Sequence, residues 1–182
     1  MFDTLRDIGE KLNEGGIIWG LGASMLLNYY GFIDKPNDID ILVDVKNIEK
    51  ADKILKSMGE KRLWEKSDNY STEYFYEYVI NGFEVDVMSG LRINHSEGIY
   101  KYIFDKKSIS ETIQIDDIDI HLTSLEDWYF IYQLIPNREI KVNMIEDYLL
   151  LNGIKKPELL DRALTGDLPN EVRCNIKRLL NS

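Results

Sequence analysis

The first 122 residues alternate between segments with a helical period and segments with a strand period. Apolar positions at helical spacing predict helices at residues 3–14, 23–30 and 46–58, and glycines follow each of them. Asn81-Gly82 is the composition most favoured for a tight hairpin turn. Short apolar or alternating runs predict strands at residues 17–19, 39–43, 62–66, 73–80 and 83–88, and a strand or hairpin at residues 113–122.

After Thr123-Ser124 the pattern becomes helical, which predicts helices near residues 125–135, 140–152, 157–164 and 170–180. The predicted fold class is therefore α/β (α+β), because strands alternate with helices first and helices alone follow. A mixed β-sheet core flanked by helices is expected over residues 1–122, and a helical region over residues 123–182. No linker rich in Pro, Gly or Ser separates the two parts, so the helical region is expected to pack on the core.

The composition is that of a soluble protein with an apolar core. Hydrophobic residues make up 44% of the 182 residues, which is enough to form a core without disulfides. Cys174 is the single cysteine, so no intramolecular disulfide can form and a zinc cluster is disfavoured. Residues 1–14 are too charged for a secretion signal, and no apolar stretch is long enough to cross a bilayer. These features predict a cytoplasmic protein without a membrane span.

The net charge of −10 narrows the range of partners. An acidic surface repels polyanions, so a broad nucleic-acid-binding surface is disfavoured. The same balance suits a protein that recruits Mg²⁺ or accepts a cationic small molecule.

Three aspartates carry the candidate chemistry. Asp38 and Asp40 stand two residues apart at a predicted strand, so both side chains point to one face and could bind cations together. Asp86 lies in the middle of a later apolar strand. An isolated acid-x-acid pair is more often a solvated strand face, and the same interpretation applies to Glu84 and Asp86 taken alone.

The context of the acid pair favours a functional interpretation. The segment Trp19-Gly20-Leu21-Gly22-Ala23-Ser24 leads into a predicted helix just upstream. A glycine-rich turn at the start of a helix exposes backbone amides that suit a phosphate. The backbone amides that could bind a phosphate and the carboxylates that could bind a metal are therefore expected to lie close together.

A rival motif lies at residues 117–121, where Asp117, Asp119 and His121 repeat the alternation of acidic and apolar residues. It has no glycine turn and helix before it, so we interpret it as a strand with its polar side outward. His95 is expected in a loop and Cys174 on a helix face. The aromatic residues between Trp64 and Tyr78 could line a pocket, although alternate strand residues that pack a core explain them more simply.

Residues 19–43 and 83–88 together resemble the nucleotidyltransferase superfamily typified by DNA polymerase β. Its signature is a Gly-Ser or Gly-Gly turn, a helix, an Asp-x-Asp strand and a third acid on a later neighbouring strand. Residues 122–151 resemble, more loosely, the helical region of small stand-alone prokaryotic members. The turn departs from the pattern, because Leu21 separates Gly20 from Gly22 and Ser24 is displaced. Either Gly20 or the segment Gly22-Ala23-Ser24 could therefore fill the phosphate-binding role.

The resemblance implies a metal-dependent enzyme that moves a nucleoside monophosphate from a nucleoside triphosphate to a hydroxyl acceptor, with release of pyrophosphate. Asp38, Asp40 and Asp86 are then the catalytic metal ligands for two Mg²⁺ ions, with Mn²⁺ as a substitute. Lys35 and the glycine turn are expected at the triphosphate. The acceptor stays open among a small molecule, a protein and an RNA end. Further candidates for phosphate contacts are Arg92, Arg138 and Lys141.

Two alternatives remain at this point. The chain could be a catalytically degenerate nucleotidyltransferase fold that acts as a binding module or as a toxin or antitoxin component. The irregular glycine turn supports this alternative, and the retention of three acids opposes it, because crowded carboxylates repel one another without a cation. The other alternative is a plain acidic α/β protein whose motifs match by chance.

Overall fold

The computed structural model describes residues 1–63 and 70–182. Within these ranges the chain forms seven α-helices and nine β-strands, which confirms the predicted mixture of both. The helices are α1 (Phe2–Glu14), α2 (Ala23–Tyr29), α3 (Ile48–Met58), α4 (Leu125–Gln133), α5 (Glu139–Asn152), α6 (Pro157–Leu164) and α7 (Asn170–Leu180). The strands are β1 (Trp19–Leu21), β2 (Ile39–Val43), β3 (Glu60–Arg62), β4 (Tyr74–Ile80), β5 (Phe83–Ser89), β6 (Arg92–His95), β7 (Gly98–Lys101), β8 (Ile109–Ile115) and β9 (Ile118–Thr123).

The described residues group into two compact units. The first contains residues 1–63, 72–90 and 103–123, and the second contains residues 70–71, 91–102 and 124–182. The division of the chain into a core domain at residues 1–122 and a helical region at residues 123–182 stays a prediction.

A mixed seven-stranded sheet forms the centre of the first unit, in the order β3-β4-β5-β2-β1-β9-β8. Strand β2 runs parallel to β5, β1 runs parallel to β9, and the remaining neighbours are antiparallel. The apolar residues of the two middle strands are fully buried, namely Ile39, Ile41, Val85 and Val87. Their alternation with acids is what turns the acids to the opposite face of the sheet.

Helix α1 packs tightly against this sheet. Its buried side carries Leu5, Ile8 and Leu12, at the helical spacing that the sequence shows. Gly9 permits the close approach, because a Cβ atom there would lie 2.5 Å from the Cδ1 atom of Ile120. The hairpin between β4 and β5 turns at Asn81 and Gly82, whose φ angles of 51° and 80° are those of a tight left-handed turn.

The second unit contains helices α4 to α7 and the short hairpin of β6 and β7. Tyr102 donates a hydrogen bond of 2.6 Å to the buried Asp127 on α4. The carboxylate of Glu126, also buried, accepts the backbone N–H groups of Lys155 and Lys156 at 2.9 Å. Two adjacent acids of α4 therefore accept hydrogen bonds within the second unit.

Several predicted boundaries differ from the observed ones. Strand β1 begins at Trp19 rather than at residue 17, and β3 ends at Arg62. Residues 64–66 of the strand predicted at 62–66, Trp64 among them, lie outside the described residues. The prediction of a loop at His95 is wrong, because this residue pairs with Gly98 across the hairpin. No helix in the described part of the chain is both long and apolar enough to cross a membrane.

Candidate metal centre

The structure brings the three predicted acids together. Asp40 on β2 lies directly beside Asp86 on the parallel neighbour β5, and Asp38 immediately precedes β2. One carboxylate oxygen from each acid lies within 4.8 Å of the other two. Ligands on opposite sides of one cation are separated by about 4–5 Å, twice the usual metal–oxygen distance. The three oxygens therefore fit a common divalent cation.

Ionising the three carboxyl groups at the same time is energetically unfavourable. Burial raises the pKa of Asp40 well above its ordinary value, and the charges of Asp38 and Asp86 raise it further. Burial also raises the pKa of Asp86 from 3.8 to about 7, with contributions from Asp38, Glu77 and Glu84. A bound cation relieves both the repulsion and the burial cost. The donor set is oxygen only, which suits Mg²⁺ or Mn²⁺.

Two further carboxylates lie near this centre, and the sequence did not single out Glu77. It stands directly opposite Asp86 on β4, and Glu84 precedes Asp86 by two residues on β5. Glu84 accepts a hydrogen bond of 3.1 Å from Arg62. Their charges add to the field that raises the pKa of Asp86. A signal for Glu77 was present in the sequence, because the predicted two-residue turn at Asn81-Gly82 pairs Glu77 with Asp86.

The glycines of the turn have different structural roles. Gly20 lies inside β1, where a Cβ atom would be 2.8 Å from Cγ2 of Thr123 and 3.3 Å from the ring of Phe104. Gly22 caps α2 in an extended conformation, and its N–H donates to the carbonyl oxygen of Asp40 at 2.9 Å. Gly20 thus provides close packing, and Gly22 ties the turn to the acid strand.

Ala23, the first residue of α2, has a φ of 44°, which is left-handed. This conformation costs a residue with a side chain about 1–2 kcal/mol. Strained residues of this kind cluster at functional sites. Sequence reasoning missed the strain, because alanine does not signal a left-handed position.

Ser24 is buried next to the acids. Its hydroxyl donates to Oδ1 of Asp38 at 3.0 Å, with the Asp38 carbonyl oxygen at 3.2 Å as a second acceptor. The same hydroxyl accepts the N–H of Asn37 at 3.3 Å. The backbone N–H of Ser24 lowers the pKa of Asp40, against the larger effect of burial. Ser24 is thus hydrogen-bonded to Asp38 and favours the ionised form of Asp40.

The other candidates lie elsewhere. Lys35 is exposed in the loop before the acid pair. Asp119 and His121 line a separate cavity of about 580 Å³ in the first unit. Thr112 hydrogen-bonds Nδ1 of His121 at 3.0 Å. Among the described residues, Asp38, Asp40 and Asp86 form the one group of three or more potential metal-ligating residues.

The remaining cationic candidates belong to the second unit. Arg92 begins β6, and Arg138 precedes α5. Lys141 lies in α5, with its ammonium 5.0 Å from the ring centroid of Tyr132. Cys174 is exposed on α7, as predicted for a helix-face residue.

Comparison by sequence finds no matching protein-family model and no significant match among curated proteins. Comparison by structure finds clear neighbours. A Thermotoga maritima protein classed as a nucleotidyltransferase has a TM-score of 0.61 and 21% identity, over 82% of this chain and 89% of its own. ANT(2″)-Ia in complex with adenylyl-2″-tobramycin has a TM-score of 0.57 and 14% identity, over 97% of both chains.

The lincosamide antibiotic adenylyltransferase LnuA, bound to lincomycin, has a TM-score of 0.52 and 16% identity, over 79% of this chain and 94% of its own. Identities at this level establish a shared fold and not a shared activity. The chain has the fold of small nucleotidyltransferases, as the sequence motifs predicted.

Proposed function

We propose that this chain is a divalent-metal-dependent nucleotidyltransferase. It transfers a nucleoside monophosphate from a nucleoside triphosphate to a hydroxyl acceptor and releases pyrophosphate. The observation that carries the proposal is the register of β2 and β5, which places Asp40 beside Asp86 with Asp38 adjacent. Three crowded carboxylates on this fold are expected to need a cation for their charge.

Asp38, Asp40 and Asp86 bind the metal, with Mg²⁺ as the physiological ion and Mn²⁺ as a substitute. Bound divalent ions lower the pKa of an acceptor hydroxyl and neutralise charge on the attacking and leaving oxygens. In the overall reaction the acceptor oxygen bonds to the α-phosphorus, the bond from that phosphorus to the pyrophosphate oxygen breaks, and the acceptor hydroxyl releases its proton to solvent. Asp40 and Asp86 must lose their protons for the metal to bind, because both have raised pKa values.

The turn from Gly20 to Gly22 and the exposed Lys35 are proposed to contact the triphosphate. Both precede the acid pair in the chain, and Gly22 is hydrogen-bonded to Asp40 itself. An ammonium group near phosphate oxygens supplies a compensating charge that the acidic face lacks.

The acceptor is proposed to be a small hydroxyl-bearing molecule before a protein or an RNA end. Two structural neighbours contain antibiotics: adenylyl-2″-tobramycin in ANT(2″)-Ia and lincomycin in LnuA. Glu77 and Glu84 beside Asp86 add negative charge, which disfavours a polyanionic acceptor. The net charge and the single cysteine support action in the reducing cytoplasm.

A second candidate is a degenerate module that binds partners without catalysis. The Gly22 amide is already used by Asp40, and Ala23 is strained, so the phosphate turn is irregular. If the chain is such a module, it binds nucleoside triphosphates with the same affinity in the presence and absence of metal, or it does not bind them.

Calorimetry with each nucleoside triphosphate, with and without Mg²⁺ or Mn²⁺, separates the two candidates. The enzyme requires metal for tight binding, and Asp38→Asn or Asp40→Asn abolishes transfer while the fold is retained. Asp119→Asn is the matched control, since Asp119 is an exposed acid of the rival motif and lies outside the acid group. Equal nucleotide binding with and without metal would reject the enzyme in favour of the module.

A mass-shift screen identifies the acceptor. Candidate small molecules, proteins and RNA are incubated with triphosphate and metal, and a nucleotidyl adduct is sought by mass spectrometry. The adduct should disappear in Asp40→Asn and persist in Asp119→Asn.

A further inference from the structure

Ser24 differs from every other serine of the first unit for which a hydrogen bond is described, because its hydroxyl is held by an acid of the candidate metal centre. Only 3% of its surface is exposed, and its Oγ atom lies 3.0 Å from Oδ1 of Asp38. The N–H of Asn37 approaches the same Oγ atom at 3.3 Å. A hydroxyl that accepts from a backbone N–H has its one proton left for the carboxylate.

This contact restricts Asp38 in a defined way. With Oδ1 held, rotation about the Cβ–Cγ bond is restricted, so the direction of Oδ2 is restricted as well. Asp38 lies outside the ladder of β2, which begins at Ile39, so the strand alone does not hold it. Ser24 supplies the missing constraint from α2.

The same turn also reaches the second acid of the pair. The N–H of Gly22 donates to the Asp40 carbonyl oxygen at 2.9 Å, and the backbone N–H of Ser24 lowers the pKa of the Asp40 carboxyl against the larger effect of burial. The start of α2 is thereby connected to both Asp38 and Asp40. Hydrogen-bond partners of metal-ligating carboxylates commonly orient the ligands and strengthen metal binding.

We infer that Ser24 is a positioning residue that orients Asp38, beside Asp40, for a divalent cation, in place of the phosphate contact expected from the sequence. The inference rests on the proposed function, since it requires that the acids bind metal. Ser24 acts through Asp38 and does not contact the nucleotide. Its hydroxyl is already used by Asp38 and Asn37.

Two variants of Ser24 and one matched control test the inference. Ser24→Ala removes the hydroxyl, and Ser24→Cys keeps a similar volume but offers only a weak S–H donor. Ser110→Ala is the control, because the described hydrogen bonds of the Ser110 hydroxyl, in the same unit, go to the backbone carbonyl oxygens of Thr123 at 3.0 Å and Leu122 at 3.4 Å and not to a carboxylate. Mn²⁺ affinity is measured without nucleotide, from the electron paramagnetic resonance signal of free Mn²⁺.

Both Ser24 variants should bind Mn²⁺ about tenfold more weakly than the wild type, as is typical when a hydrogen bond to a metal ligand is lost. Ser110→Ala should stay within about twofold. Thermal unfolding in EDTA checks that any weakening is measured on folded protein. If Ser24→Ala retains wild-type Mn²⁺ affinity, or if Ser24→Cys restores it, the positioning role is overturned.

Turnover distinguishes positioning from phosphate contact. For a positioning residue, saturating Mn²⁺ restores most of the kcat of Ser24→Ala, and the KM for the triphosphate is near the wild-type value. For a phosphate ligand, that KM stays high at saturating metal, which would overturn the inference. A wild-type protein that binds no Mn²⁺ would reject the proposed function itself, and the inference would fall with it.

Discussion

Replacing Asp86 by asparagine should stabilise the metal-free protein above neutral pH. The pKa of Asp86 rises from 3.8 to about 7, chiefly through burial. Since one pKa unit corresponds to about 1.4 kcal/mol, the ionised carboxylate destabilises the metal-free fold by about 4 kcal/mol at pH 8. Asparagine has nearly the same shape and no charge, so it removes this cost.

The sign of the pH dependence follows from the raised pKa. Below about pH 4 the carboxyl is protonated in both the folded and the unfolded chain, so it has no differential effect. The destabilisation grows between about pH 4 and 7 and is complete above about pH 7. The gain from Asp86→Asn should therefore fall from about 4 kcal/mol at pH 8 to about 1.5 kcal/mol at pH 5.

Urea denaturation in EDTA at pH 5 and pH 8 measures this difference, with Asp119→Asn as the control that changes little at either pH. Mn²⁺ should reverse the order of the wild type and Asp86→Asn at pH 8, because only the wild type retains all three ligands. If Asp86→Asn is less stable than the wild type at pH 8, or if its gain does not shrink on acidification, the interpretation of a strained acid site is refuted.

Three further predictions also concern the first unit. Burial acts to raise the pKa of Asp52, but hydrogen bonds from Lys56, Lys61 and Tyr78 lower it to about 2. The ionised Asp52 therefore stabilises the fold above about pH 4, and this stabilisation is lost as the pH falls toward 2. Asp52→Asn should lower the melting temperature at pH 7 and make the melting temperature less dependent on pH between about 2 and 4. Gly20→Ala should destabilise the fold by about 1–3 kcal/mol in urea denaturation, because its Cβ would lie 2.8 Å from Cγ2 of Thr123. Thr123→Ser removes that methyl group and should recover part of the loss, and an absence of recovery would contradict the steric explanation. Mn²⁺ affinity should rise by at least about tenfold per pH unit below about pH 7, where binding displaces the protons of Asp86 and Asp40. Calorimetry in buffers of different ionisation enthalpy should detect the released protons, and a pH-independent affinity between about pH 5 and 7 would contradict this linkage.

Local signals predicted many elements well. Strand β2 and helices α6 and α7 have the predicted bounds, since alternation or helical spacing is unbroken within them. The hairpin turn at Asn81-Gly82 was also visible, because few other residues adopt its left-handed angles. The hairpin of β6 and β7 was missed, because two strands of four residues are too short to show a period.

Local sequence patterns indicated part of the candidate site, and the tertiary structure supplied the rest. The spacing of Asp38 and Asp40 is local, and the sequence alone indicated that they act as a pair. The role of Ser24 was not visible, because its contact with Asp38 spans a turn whose course the sequence does not specify. The left-handed Ala23 within that turn is likewise a result of packing rather than of residue preference.

By itself, the amino-acid sequence determined the periods of the helices and strands, the acid pair and the resemblance to nucleotidyltransferases, because each depends on residues close together in the chain. Only the tertiary structure decided that β5 pairs with β2 in parallel and in the register that sets Asp86 beside Asp40. It also decided that Asp119 and His121 stay apart from the acid group. Strand order depends on how the whole sheet buries its apolar face, and that cooperative choice has no local sequence signature.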